Sequence, residues 1–272
     1  MTYSGSEVDG KVVVISGGGT GIGAATARRY TAEGARVAIL GRRREPLEAI
    51  AADTGALAVV ADASDAESCA AAIATVVEAF GGIDVVVANA GGHGLSTVGE
   101  TDDADWALAF TTNVTTAFVL AREALPFLME SKGHIVVVSS LAGLFAGPGV
   151  AGYTVGKHAL IGLTRSLARD YGKYGVRVNA VCPGWVRTPM ADAEMDELAR
   201  IAGFTDRAEG YGLVTVDVPL GRPAEPEEIA AIIRFLGSGE SSIMTGAVLL
   251  ADGGAHIVDV PTLAFEHAAA AG

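Results

Sequence analysis

The stretch ISGGGTGIGAATARRY, residues 15–30, packs five glycines into the seven positions from 17 to 23 and then turns to alanine, arginine and tyrosine. An apolar run, KVVVIS at 11–16, leads into it. A chain gives up that much backbone order where side chains would obstruct something. As strand, turn and helix, the stretch sets Gly17, Gly21 and Gly23 where the backbone must turn tightly, approach a phosphate and let a helix lie against a strand. The helix beginning near Gly21 then aims free N–H groups and the positive end of its dipole at a pyrophosphate. No Lys-Ser/Thr pair follows the glycines, which excludes the nucleoside-triphosphate loop. A glycine-rich turn that holds no ligand is the alternative, and only the rest of the chain can decide between them.

Short β-rich runs recur along the chain, at 11–16, 35–40, 56–60, 83–88, 134–139, 176–181 and 246–251. They are nearly continuous apolar runs rather than alternating ones, as strands covered on both faces require. Helical patterns separate them at 21–33, 44–53, 65–80, 103–129, 153–173 and 225–236. The alternation predicts an α/β fold: a Rossmann-type, doubly wound, seven-stranded parallel sheet with helices on both faces, in a single domain over 1–272. The interval 185–222 breaks the rhythm with Met190, Met195, Phe204 and Tyr211 among acidic residues and glycines. Long irregular connections are usually functional, so this interval is expected to cover a substrate; a surface excursion of short helices is the alternative. The tail, 255–272, carries enough apolar residues to pack against another subunit, and its last residues, AAAAG, are expected to fray.

Composition narrows the classes. A chain of 272 residues can bury a substantial core without disulfides or metals. Half of it is apolar, yet no apolar run approaches the roughly 18 residues of a membrane span. The first residues, MTYSGSEVDGK, lack a basic region followed by a hydrophobic segment, so the expectation is no secretory signal and a cytoplasmic location. Cys69 and Cys182, the two cysteines, are read as buried reduced thiols. The five histidines form no paired ligand set, and no metal site is expected. A net charge of -13 argues against nucleic acid as a partner, with Arg42-Arg43-Arg44 the one local exception.

That exception bears on the glycine turn. About twenty residues after such a turn, a site selecting NAD carries an acidic side chain for the ribose 2'-hydroxyl. This chain has Gly41-Arg42-Arg43 there. A carboxylate would repel a 2'-phosphate, whereas a guanidinium pairs with it through charge-assisted hydrogen bonds. NADP(H) is therefore favoured and NAD(H) stays open, the alternative being arginines that merely solvate a loop.

Tyr153 and Lys157 lie four apart, so on a helix they share one face. A neighbouring ammonium favours a phenolate and would bring the phenol toward useful acid–base range. The bland alternative is an aromatic ring in packing with a lysine that snorkels to solvent. From Lys11 to about Gly254 the chain resembles the short-chain dehydrogenase/reductase family. The family's TGxxxGxG motif is matched by SGGGTGIG, with Ser16 for the first threonine, and its NNAG segment by Ala88-Asn89-Ala90-Gly91. Its catalytic asparagine, serine, tyrosine and lysine match Asn113, Ser140, Tyr153 and Lys157, and its PG motif matches Pro183-Gly184. Three departures stand out. Ser16 keeps the hydroxyl of the threonine, Ala88 loses an amide that braces the central strand, and Gly156 replaces the usual serine, with a small loss of local rigidity expected.

The resemblance implies roles. Ser140 would bond the substrate oxygen, Tyr153 would give or take its proton, Lys157 would hold the ribose hydroxyls, and Asn113 would position a water linking Lys157 to solvent. Gly17, Thr20, Gly21, Ile22, Gly23, Arg42, Asp62, Ala63, Asn89, Ala90, Gly91, Pro183, Gly184, Val186 and Thr188 would line the cofactor, with Asp62 on the adenine amine. It also implies a homotetramer, paired through the helices at 103–129 and 153–173 and near the strand at 246–251. The expected activity is NAD(P)(H)-dependent interconversion of a secondary alcohol and a ketone. The rivals are a nucleotide-sensing regulator on the same fold and a sugar-nucleotide epimerase or dehydratase, for whose larger substrate domain the chain scarcely has room. Leu144, Phe145, Trp185, Met190 and the 190–215 region are expected to border a largely apolar pocket for a small carbonyl or alcohol substrate, whose identity the residues leave open, and His93 is read either at that border or as a solvated loop histidine.

Overall fold

The computed structural model describes residues 7–270. The readings for the first residues and for the fraying of AAAAG fall, at 1–6 and 271–272, outside the described residues. In chain order the elements are β1 (Val12–Ser16), α1 (Gly21–Ala32), β2 (Arg36–Gly41), α2 (Arg44–Thr54), β3 (Leu57–Val60), α3 (Ala66–Phe80) and β4 (Val85–Ala88). The second half holds α4 (Asp103–Phe110), α5 (Thr116–Ser131), β5 (His134–Val138), α6 (Ala151–Tyr171), β6 (Arg177–Pro183), α7 (Pro189–Ala202), α8 (Arg207–Val214), α9 (Pro226–Leu236), β7 (Val248–Ala251) and α10 (Leu263–Ala270).

The seven strands form one parallel sheet in the order β3-β2-β1-β4-β5-β6-β7, so the chain reverses its direction of travel between β1 and β4. A doubly wound sheet opens a crevice at the carboxyl ends of its strands at that point. The continuous apolar runs are explained by the pleat. Val12 and Val14 of β1 enter one core while Val13 and Ile15 enter the other, and β2 and β4 divide in the same way. Residues from α3, α5 and α6 fill the first core, and residues from α1, α2 and α9 the second. Cys69 and Cys182 are buried free thiols within the first, as expected.

Local signals set the element ends. The Asp65 carboxylate caps α3 by accepting from Ser68 N at 2.8 Å, and Gly55 and Gly81 close α2 and α3 in the left-handed conformation. The helical pattern at 103–129 is interrupted: α4 and α5 are joined by one π-helical turn, Thr111–Thr115. Such a turn inserts an extra residue into the spiral and frequently marks a functional position. Within 185–222 the chain forms α7 and α8, which enclose a small third core of Ala191, Met195 and Tyr211. No helix among the described residues is long and apolar enough to cross a membrane.

Candidate active site

The glycine turn sits at the head of β1. Gly17 and Gly21 have positive φ, at 66° and 53°, a conformation that side chains oppose. A methyl on Gly17 would meet Asn89 Nδ2 at 2.9 Å, one on Gly21 would meet Thr188 Cγ2 at 3.0 Å, and one on Gly23 would run into the Gly17 carbonyl. The turn, the close approach and the packing of α1 therefore each exclude a side chain. Ser16 Oγ accepts from the backbone N–H of Asn89 and of Ala90, both at 3.1 Å, so its hydroxyl ties the turn to the end of β4. Asn89 Nδ2 in turn donates to the Ser16 carbonyl at 3.0 Å.

A cavity of about 1150 Å³ runs from this turn across the ends of the strands. Thr20 and Ile22 line it, as do Arg42, Arg43, Asp62 and Ala63 beyond β2 and β3. Arg44 pairs with Glu48, whereas Arg42 and Arg43 are exposed and make no ion pair or hydrogen bond among the described residues. The Asp62 carboxyl is held below its ordinary range, first by the Ser64 hydroxyl at 2.6 Å and less by the charge of Arg42. Ala90, Gly91, Pro183, Gly184, Val186 and Thr188 line the middle of the cavity. Gly23 does not line it; its part is the packing of α1.

Ser140, Tyr153 and Lys157 meet at the same cavity. Tyr153 and Lys157 share a face of α6, whose first turn is anchored by Tyr153 N donating to the Gly94 carbonyl at 3.1 Å. Ser140 follows β5, and its Oγ accepts from Ala142 N at 3.1 Å. Its neighbour Ser139, which no sequence motif singles out, is buried and donates to the Lys157 carbonyl at 2.9 Å, fastening α6 to β5. Lys157 is buried, and of its three N–H donors one is used within the protein, at 3.1 Å to the Val138 carbonyl. Burial with no carboxylate alongside pulls its pKa down to about 8.

The expected lowering of the Tyr153 phenol is not what the protein alone displays. Burial pushes it up, the Ser140 hydroxyl pulls it back, and the charge of Glu194 pushes it further up. Burial is the largest of these, and Lys157 Nζ lies 5.5 Å from the ring centroid. Asn113 is fully buried in the π-helical turn. Its Oδ1 accepts from Gly92 N, and its Nδ2 donates to the carbonyls of His93 and Ala109, all at 2.9 Å. It thereby braces the loop after β4. Gly156 proves to be a close-approach position, since a Cβ there would lie 3.0 Å from Asn113 Cβ.

Trp185 and Met190 line the cavity at its far end, together with Phe145 and Glu194. His93 and Leu144 do not. The His93 ring turns toward Asp105, with Nε2 at 3.7 Å, and Leu144 packs against the first core. Two loop residues next to motif positions thus point away from the cavity because a carboxylate and an apolar cluster hold them elsewhere.

These residues fit a nicotinamide dinucleotide. Side chains at Gly17, Gly21 or Gly91 would intrude on the cradle, and a Cβ on Gly91 would lie 3.1 Å from Asn113 Oδ1 and 3.2 Å from Lys157 Nζ. A buried ammonium with unused donors also suits a ligand rich in hydroxyls. A switch-point crevice lined by a glycine turn, a phenol and a buried ammonium has the layout of a dinucleotide-binding oxidoreductase.

Comparison with known proteins narrows the class. Residues 17–256 match a family model described as enoyl-(acyl carrier protein) reductase. The chain is 49% identical over 257 residues to protein MoaE of Klebsiella aerogenes, covering 94% of this chain and 99% of that one. It is 39% identical to meso-2,3-butanediol dehydrogenase of Serratia marcescens, with 92% and 96% covered. Trans-4-hydroxycyclohexanecarboxylate dehydrogenase of Sinomonas cyclohexanicum is 38% identical, with 93% and 96% covered. The crystal structure of levodione reductase superposes with a TM-score of 0.85 at 33% identity, covering 90% of this chain and 97% of that one. The chain belongs to the short-chain dehydrogenase/reductase family and is an oxidoreductase acting on alcohols.

Proposed function

We propose that the protein interconverts a secondary alcohol and a ketone with NADP(H) as its preferred cofactor. One observation carries this reading: Ser140, Tyr153 and Lys157 line the same cavity as the glycine turn and the two unpaired arginines. The nicotinamide, when bound, supplies or takes up the two electrons together with a hydrogen. The chain's share is alignment and the proton. Ser140 Oγ holds the substrate oxygen, and the Tyr153 phenol gives that oxygen a proton in reduction and takes it back in oxidation. Lys157 holds ribose hydroxyls with its unused donors. Arg42 and Arg43 select the 2'-phosphate, and α7 with α8 covers the substrate.

The dehydrogenases of hydroxylated small molecules among the relatives support a substrate of that kind. We also propose a cytoplasmic homotetramer. Exposed Trp106 and Phe118 on α4 and α5, Val155 on α6, and Ile257 and Phe265 in the tail support subunit contacts on those faces, and β7 is an edge strand of the sheet.

The test is an assay of purified protein with NADPH and ketones, and with NADP and secondary alcohols, followed at the nicotinamide absorbance. Tyr153→Phe is expected to lower kcat at least a hundredfold with cofactor affinity nearly kept. Tight cofactor binding with no turnover, and no change on Tyr153→Phe, would refute the catalytic reading in favour of a nucleotide sensor.

A further inference from the structure

α7 carries four acidic residues, Asp192, Glu194, Asp196 and Glu197. Three have partners. Asp192 accepts from the Tyr211 hydroxyl at 3.0 Å and pairs with Arg207, Asp196 pairs with Arg207 at 2.7 Å, and Glu197 pairs with Arg200. Glu194 makes no hydrogen bond or ion pair among the described residues; one turn beyond Met190 and Ala191, it lines the cavity with them. Four other charged side chains line that cavity. Arg42, Arg43 and Asp62 belong to the cofactor end and Lys157 lies beneath Tyr153, which leaves Glu194 as the charge at the substrate end. The walls around it, Phe145, Val150, Trp185, Met190 and Val214, are mainly apolar.

A half-buried carboxylate among apolar walls loses hydration and gains nothing until a donor reaches it. Burial raises the Glu194 pKa, and the charge of this carboxylate acts on the Tyr153 phenol, where the reacting oxygen docks. We infer that Glu194 is a specificity-determining residue that accepts a hydrogen bond from a donor substituent close to the reacting carbon, a hydroxyl or an ammonium, and repels an anionic one. The preferred substrates are then α-hydroxy or α-amino ketones and the corresponding diols or amino alcohols. This rests on the ketone–alcohol reading above and adds the substituent.

Four ketones of equal chain length test it: a plain 2-alkanone, its α-hydroxy and α-amino derivatives, and the α-keto acid. In the wild type, kcat/KM for the hydroxy or the amino ketone should exceed that for the plain ketone at least tenfold, with the keto acid below all three. Glu194→Leu should bring these ratios to within about threefold of one another. Glu194→Gln, which keeps an acceptor and loses the charge, should abolish an ammonium preference and retain a hydroxyl preference; the arm that responds identifies the donor. Ratios unchanged in Glu194→Leu, with the plain ketone still turned over, would overturn the inference and leave the reaction class intact. Should the wild type turn over none of the four, none of them is a substrate. The inference is then read from calorimetric binding of the same compounds to the NADPH complex, where equal affinities in wild type and Glu194→Leu overturn it.

Discussion

Replacing Lys157 should stabilise the protein. Lys157 is buried in the cavity wall, and its pKa falls from the ordinary 10.5 to about 8 because its charge has lost water and gained no carboxylate among the described residues. At 1.36 kcal/mol for each pH unit, that displacement amounts to roughly 3 kcal/mol of native-state cost. Lys157→Met keeps most of the aliphatic volume and removes the charge. It also removes the donor to the Val138 carbonyl, a loss of about 1 kcal/mol. The net gain near pH 7 is on the order of 2 kcal/mol, or roughly 4–8 °C in Tm for a chain of this size.

The pH dependence identifies the cause. The unfolded lysine titrates near 10.5 and the folded one near 8, so between those values the unfolded state binds more protons and wild-type stability rises with pH. Below pH 8 both states are charged and the whole cost is present; above 10.5 both are neutral and it is gone. The advantage of Lys157→Met should be greatest at pH 6–8 and shrink toward pH 10.5, read by thermal denaturation of both proteins in matched buffers without cofactor. A variant less stable than wild type at pH 7, or a difference that does not change with pH, would refute the assignment of an unpaired buried ammonium. Loss of activity in the same variant is expected from the cofactor-holding role proposed for Lys157.

Arg42→Ala and Arg43→Ala should each weaken NADPH about tenfold, the value of one charge-assisted contact discounted for exposure, and leave NADH within twofold; equal losses for both cofactors would remove the 2'-phosphate assignment. Gly23→Ala presses a methyl into the Gly17 carbonyl, backbone that cannot swing aside, and should cost about 1–3 kcal/mol in denaturant unfolding together with cofactor affinity. Gly99→Ala meets nothing within 4 Å and is the control; an unaltered cofactor Kd in Gly23→Ala would show that α1 does not need that close approach.

The elements that could be read from sequence are those whose cause is local. A strand covered on both faces must be apolar at every position, so VVVIS of β1 and VVVA of β4 announce themselves, and their sheet follows from the alternation with helices. Gly17 and Gly21 carry the turn at positive φ, a conformation that side chains oppose, and at 23 any Cβ would run into the Gly17 carbonyl. What could not be read depends on partners far away in the chain. The π-helical turn at Thr111–Thr115 lies inside an unbroken helical pattern and is revealed by the bonds of Asn113 to Gly92 and His93. Ser139 and Ser140 are adjacent and both line the cavity, yet Ser139 donates to the Lys157 carbonyl whereas the Ser140 hydroxyl accepts from Ala142 N. Gly156 suggested looseness until the nearness of Asn113 supplied its reason. Glu194 was one acid among four on a charged helix, and only the pairing of the other three set it apart.

Charge along the cavity explains how an acidic protein can hold an anionic cofactor. With a net charge of -13, the molecule's overall field opposes a dinucleotide phosphate. Three local features act against that field over short distances: the N-terminus of α1 at the glycine turn, the unpaired Arg42 and Arg43, and the buried Lys157. Screening weakens the distant surface carboxylates within about 8 Å at physiological salt, but it acts far less on an enclosed ammonium or a helix terminus in contact with its ligand. At the cofactor end the positive groups outnumber the one carboxylate there, Asp62, whereas Glu194 is the charged side chain at the other end of the cavity. Raising the salt concentration should therefore weaken NADPH through the exposed arginines more than NADH, because the contribution of Lys157 is shielded from the ions that reach Arg42 and Arg43.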